Sequence, residues 1–173
     1  LVLIEQDKAS YKHNKGEKIM AYITGMDKTE VSDSATFLVG QKGMDAAGNT
    51  FKYVQYDTGA GSIAAVSGQV AYYYAPSGAS AGAVNVVTSD LSDSAEIGAG
   101  VLQSAPTDGQ YCWIQIGGTA TLSIALTAGA DGDPLTPTGA GDGTLDVTGA
   151  ATSAVCAFAV DASAKVIACQ FAG

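Results

Sequence analysis

The stretch Tyr111-Cys112-Trp113-Ile114-Gln115-Ile116-Gly117-Gly118-Thr119-Ala120-Thr121-Leu122-Ser123-Ile124-Ala125-Leu126 decides the fold class. Aromatic and β-branched residues crowd it, no charged residue interrupts it, and two glycines divide it. Read as a hairpin, Tyr111–Ile116 returns through Gly117-Gly118 into Thr119–Leu126, a two-residue loop that suits a type I′ turn. Directly opposed residues share a face, so Ile116 meets Thr119 and Trp113 meets Leu122. One face then carries Tyr111, Trp113, Ala120, Leu122 and Ile124 and reads as core. The other carries Cys112, Ile114, Ile116, Thr119, Thr121 and Ser123. That second face is half apolar, which predicts cover from another sheet or another subunit.

The same signature recurs outward from this stretch. Short β-prone runs stand at 19–24, 51–56, 69–74, 83–88, 101–104, 154–160 and 165–171. Gly, Asp, Pro and Ser clusters such as Pro76-Ser77-Gly78 and Pro106-Thr107-Asp108-Gly109 separate them, the spacing of an all-β chain. Short helices fit only near 27–37 and 89–97. A closing hairpin pairs Ala154–Val160 with Lys165–Phe171 around Asp161–Ala164 and sets Cys156 opposite Cys169. The pair reads as two buried thiols, with a cross-strand disulfide as the alternative. The expected fold is all-β, a compact antiparallel β-sandwich or barrel-like domain with an extended N-terminal arm.

Charge divides the 173 residues. Seven of the eight lysines and eight of the seventeen acids fall in residues 1–58, and there is no arginine. The rest is Gly/Ala/Thr/Ser-rich, with Lys165 and nine acids. The sequence therefore predicts an N-terminal arm or small extension over 1–58 and a β-rich domain over 59–173, joined near Asp57-Thr58-Gly59-Ala60-Gly61. A net charge of −9 without an arginine argues against nucleic acid as a partner. The apolar runs are too short to span a bilayer as helices, so no membrane partner is expected. The apolar start Leu1–Ile4 stops at Glu5, short of a signal-peptide core. Three cysteines without a Cys-x-x-Cys pair point to a reducing compartment.

Candidate chemistry is sparse. His13 lies in the polar run Tyr11-Lys12-His13-Asn14-Lys15 and has no evident nucleophile or orienting acid. Cys112 sits between Tyr111 and Trp113 on a strand and reads as a structural thiol. Asp131-Gly132-Asp133-Pro134 and Gly141-Asp142-Gly143 read as turns rather than calcium loops. Gly59-Ala60-Gly61-Ser62 resembles a phosphate loop only in its glycines. The tyrosines Tyr72, Tyr73 and Tyr74 alternate faces on a strand, so a core-and-interface role is expected ahead of a sugar-stacking ledge. No catalytic residue, cofactor or metal ligand is expected. The candidate interface residues are Tyr72, Tyr73, Tyr74, Trp113, Ile114 and Ile116.

Four segments together resemble the head decoration (capsid cement) proteins of tailed bacteriophages. They are Gly68-Gln69-Val70-Ala71-Tyr72-Tyr73, Ala99-Gly100-Val101-Leu102-Gln103-Ser104-Ala105-Pro106, Asp108–Ala120 with its Gly-Gln-Tyr-Cys-Trp-Ile-Gln core, and Ala130-Asp131-Gly132-Asp133-Pro134-Leu135. The likeness covers about residues 65–173 and leaves the first ~60 without a counterpart. It implies a structural virion protein, not an enzyme, made in the host cytoplasm and bound to the outer capsid surface. Its partner would be the major capsid protein and its state a homotrimer. The alternatives are a tail, fibre or head-spike component and, in another class, a carbohydrate-binding β module.

Overall fold

The computed structural model describes residues 23–24, 26–75, 85–150 and 153–173. The strands are β1 (Ile23–Thr24), β2 (Val31–Ser32), β3 (Lys42–Met44), β4 (Thr50–Tyr56), β5 (Val70–Tyr74) and β6 (Val86–Thr88). A 3-10 turn at Leu91–Asp93 precedes β7 (Ser94–Leu102) and β8 (Tyr111–Thr121). Then come β9 (Pro134–Thr136), β10 (Asp146–Val147), β11 (Ala157–Asp161) and β12 (Val166–Gln170).

Five of these strands close into a barrel. β4 pairs with β6, β6 with β5, β5 with β7, β7 with β8, and β8 returns to β4. The β4–β6 contact is parallel and the other four are antiparallel. Closure leaves these strands no open edge over the paired stretch. Outside the ring, β3 and β1 extend the sheet from β4, while β12, β11, β9 and β10 extend it from β8. The protein is all-β and barrel-like, as its sequence pattern predicts.

The hairpin expected at Gly117-Gly118 is not formed. β8 runs through both glycines as one strand of 11 residues. One edge of β8 takes β4 over Tyr111–Gly117. The other takes β2 at Tyr111 and Cys112, β7 at Ile114 and Gln115, and β12 over Gly117–Thr121. The glycines serve a bulge instead, because Thr50 opposes Gly117 while Phe51 opposes Gln115. Gly118 takes a φ of +88°, open to glycine at little cost, and the Asn49 side chain occupies the place of its missing Cβ. The bulge lets one strand serve the barrel with its first half and the outer sheet with its second.

A continuous strand also reassigns the faces. Cys112, Ile114, Ile116, Ala120 and Leu122 all point into the main core, together with Val54 and Tyr56 of β4. Tyr111 and Trp113 point outward, where Trp113, Phe51 and Tyr53 form a second cluster with Met26 and Phe37. Phe37 meets Tyr53 edge-on at 5.3 Å between ring centroids and Trp113 at 5.2 Å. Residues 26–41 thus cover the outside of β4 and β8, and β4 is itself a barrel stave. The arm expected over 1–58 therefore does not end at 58: its second half is built into the domain.

Of the two stretches where a short helix fits, 27–37 holds none and 89–97 holds only the 3-10 turn at Leu91–Asp93. Asp27 accepts from the Thr29 backbone N–H at 2.9 Å and its hydroxyl at 2.7 Å, a local turn that competes with helix. Over 89–97, Asp90 caps only the short 3-10 turn, through Ser92 N–H at 3.0 Å. The closing hairpin forms, with a register one step away from the expected one. Ala157, not Cys156, opposes Cys169, because a bulge between Ala159 and Asp161 absorbs a residue. Cys112, Cys156 and Cys169 are free and buried.

Candidate functional site

Most of the expected interface residues lie inside the domain. Tyr72, Trp113 and Ile114 are fully buried, and Tyr73 and Ile116 nearly so. Tyr72 Oη accepts from Thr144 N–H at 2.9 Å and contacts the carbonyls of Gly141 and Thr144. Tyr73 Oη donates to the Ala172 carbonyl at 3.0 Å. Side chains so enclosed do not reach a partner, and Tyr72 and Tyr73 offer no stacking ledge. Tyr74 alone of the six keeps partial exposure. These residues are core because the barrel interior takes one face of β8 with the inner faces of β4 and β5, while Met26 and Phe37 pack over the other face.

The candidate chemistry resolves into turn construction. Asp133 accepts from Ala130 N–H at 2.8 Å, Asp131 from Ala162 N–H at 2.8 Å and Asp142 from Leu91 N–H at 2.9 Å. In the glycine-rich loop, Gly59 N–H donates to Asp57 at 2.8 Å, Gly61 N–H to Asp90 at 3.1 Å, and Ala60 N–H to Asp93. Amides that would cradle a phosphate are already held by carboxylates. No group of three or more His, Cys, Asp or Glu placed to hold a metal occurs among the described residues. Burial pushes the thiols of Cys112, Cys156 and Cys169 up to about 12, so none is poised as a nucleophile. His13 lies outside the described residues.

A surface with a different character lies on the outer sheet. Opposed residues Thr119, Ala168, Phe158 and Pro134 form one row across β8, β12, β11 and β9. Thr121 and Val166 form the next row, beside Val160, which is 50% exposed. The inward rows of the same strands, such as Ala120, Ile167 and Ala159, are buried. The outward rows hold one ionisable group, Asp161, which stands opposite Val166 in the second row, on a chain of net charge −9. A sparsely charged, partly apolar sheet face suits contact with another protein surface.

The second unusual feature is cationic. Lys52 lies on the inward parity of β4, between core positions, and is 6% exposed. Its Nζ donates to Tyr73 Oη at 2.7 Å, and burial holds its pKa below the usual lysine value. Lys42 stands directly opposite on β3. The signal that marks Lys52 was present in Thr50-Phe51-Lys52-Tyr53-Val54-Gln55-Tyr56: a lysine on the same parity as Val54 and Tyr56. Compared with known proteins, the chain matches no family model, no curated protein and no solved structure.

Proposed function

We propose that this protein is a structural component of a phage virion, a capsid cement that binds the outer surface of the assembled shell and bridges neighbouring shell subunits. One observation carries the reading: the four sequence segments that resemble decoration proteins fall on connected strands. Gly68–Tyr73 holds β5, Ala99–Pro106 ends β7, Asp108–Ala120 holds β8 and Ala130–Leu135 enters β9. β5 pairs with β7 and β7 with β8, and β9 joins β8 through β11 and β12. The role is one of binding, not catalysis, and the sparsely charged outer face of β8, β12, β11 and β9 is the surface it gives to the major capsid protein. A homotrimer, implied by the same resemblance, would multiply that contact over the lattice.

Quantitative mass spectrometry of purified particles, counting this chain against the major shell protein, tests the proposal. A copy number equal to the shell protein, or a fixed simple fraction of it, is expected. A handful of copies per particle would assign it to a tail or spike. Absence from particles would overturn a virion role and direct attention to glycan binding.

A further inference from the structure

Lys42 and Lys52 break two rules at once. They are directly opposed across β3 and β4, and like charges in that position destabilise a sheet. Lys52 is also enclosed, and an enclosed ammonium needs an anion. The other two lysines among the described residues have partners: Lys28 Nζ lies 3.6 Å from Asp45, and Lys165 Nζ donates to the Ser123 carbonyl at 2.9 Å. Among the described residues no carboxylate lies within ion-pair distance of Lys42 or Lys52, on a chain of net charge −9.

The surroundings of the pair narrow its ligand. Lys52 commits one of its three N–H groups to Tyr73 Oη, which in turn donates a hydrogen bond to the Ala172 carbonyl. Lys42 Nζ lies 3.1 Å from where a Cβ would stand on Gly173, and Ile116 closes the apolar side. Residues 172 and 173 are exposed, so the seam is reached from solvent. We propose that the seam of Lys42, Lys52 and Tyr73 is a binding site for a carboxylate supplied by a partner. Two ammonium groups offer the few point-charge donors that a monoanion needs. The seam lacks the arginine fork that would favour phosphate, and its amides are engaged in β-sheet pairing.

The test uses the full chain with isotopically labelled lysine, titrated with sodium acetate replacing sodium chloride at constant ionic strength. Lys42→Met and Lys52→Met assign the two ε-methylene resonances. Saturable shifts at Lys42 and Lys52 are expected, with half-saturation on the order of 10 mM. Lys42→Met is expected to weaken the Lys52 response about tenfold. Lys28 and Lys165 should show only a linear drift. A linear drift shared by Lys42, Lys52, Lys28 and Lys165 would overturn the proposal.

Discussion

Lys52 holds its ammonium in an apolar wall with a phenol oxygen as its described partner, and that has a consequence for pH. Burial lowers its folded pKa below the unfolded value of 10.5, so the unfolded chain binds the proton more tightly. Between the lowered pKa and 10.5 the unfolded state carries more protons, and stability therefore rises with pH across that window. Below the lowered pKa the penalty is fully present. Urea unfolding at a series of pH values is expected to show this rise in the native chain and to lose it in Lys52→Met, which should also be more stable at neutral pH. Tyr72 behaves in the opposite sense, because its hydroxyl is satisfied. Tyr72→Phe leaves the Thr144 N–H without its 2.9 Å partner in a buried site, at a cost of about 1–3 kcal/mol in denaturant unfolding. Neither role was legible from residue type, since a tyrosine or lysine on a strand reads equally well as surface; only its parity against neighbouring apolar residues tells.

At the scale of the element, β8 shows how far a pattern can be read and where it misleads. The apolar residues Cys112, Ile114, Ile116, Ala120 and Leu122 keep one parity straight through Gly117-Gly118, which is the mark of a single strand. A hairpin exchanges parity between its arms, which is why the hairpin reading left one face half apolar. The glycines invited that reading because a tight turn and a bulge both use positive φ. What distinguishes them is long-range: β4, β7 and β12 supply partners to β8, and no local motif announces those partners. The fold class and most strand positions were legible, since they follow from alternation and turn residues; closure, register and the fate of residues 26–58 were not. Gly118→Ala tests the bulge. It places a side chain at φ +88° against Asn49, and a loss of about 1–2 kcal/mol or more is expected. Gly48→Ala, at φ +85° with nothing within 4 Å, is the control for backbone strain alone. A shift in denaturation midpoint larger for Gly118→Ala than for Gly48→Ala reports the crowding.

The whole molecule joins a closed barrel to an open sheet through β8, and the two share one hydrophobic core. Cys112 lines the barrel, while Cys156 and Cys169 lie under the outer sheet, yet all three belong to the same contiguous cluster. Gly98 draws the halves together: a Cβ there would come within 2.9 Å of both Cys156 Sγ and a Phe171 ring carbon. Packing this close leaves little for either half to retain if the other opens. The thiols make that coupling measurable, because burial pushes each up to about 12 and removes the reactive thiolate from the native state. Modification by a thiol reagent therefore requires opening. If barrel and sheet unfold as one unit, mass-resolved labelling will modify Cys112, Cys156 and Cys169 at a single rate that follows global stability across a urea series. Faster labelling of Cys156 and Cys169 than of Cys112 would show the sheet opening on its own. The distinction bears on the proposed shell contact, because the proposed contact face lies on that sheet. A face that stays ordered until the whole domain unfolds is already shaped for its partner, so binding carries little ordering cost.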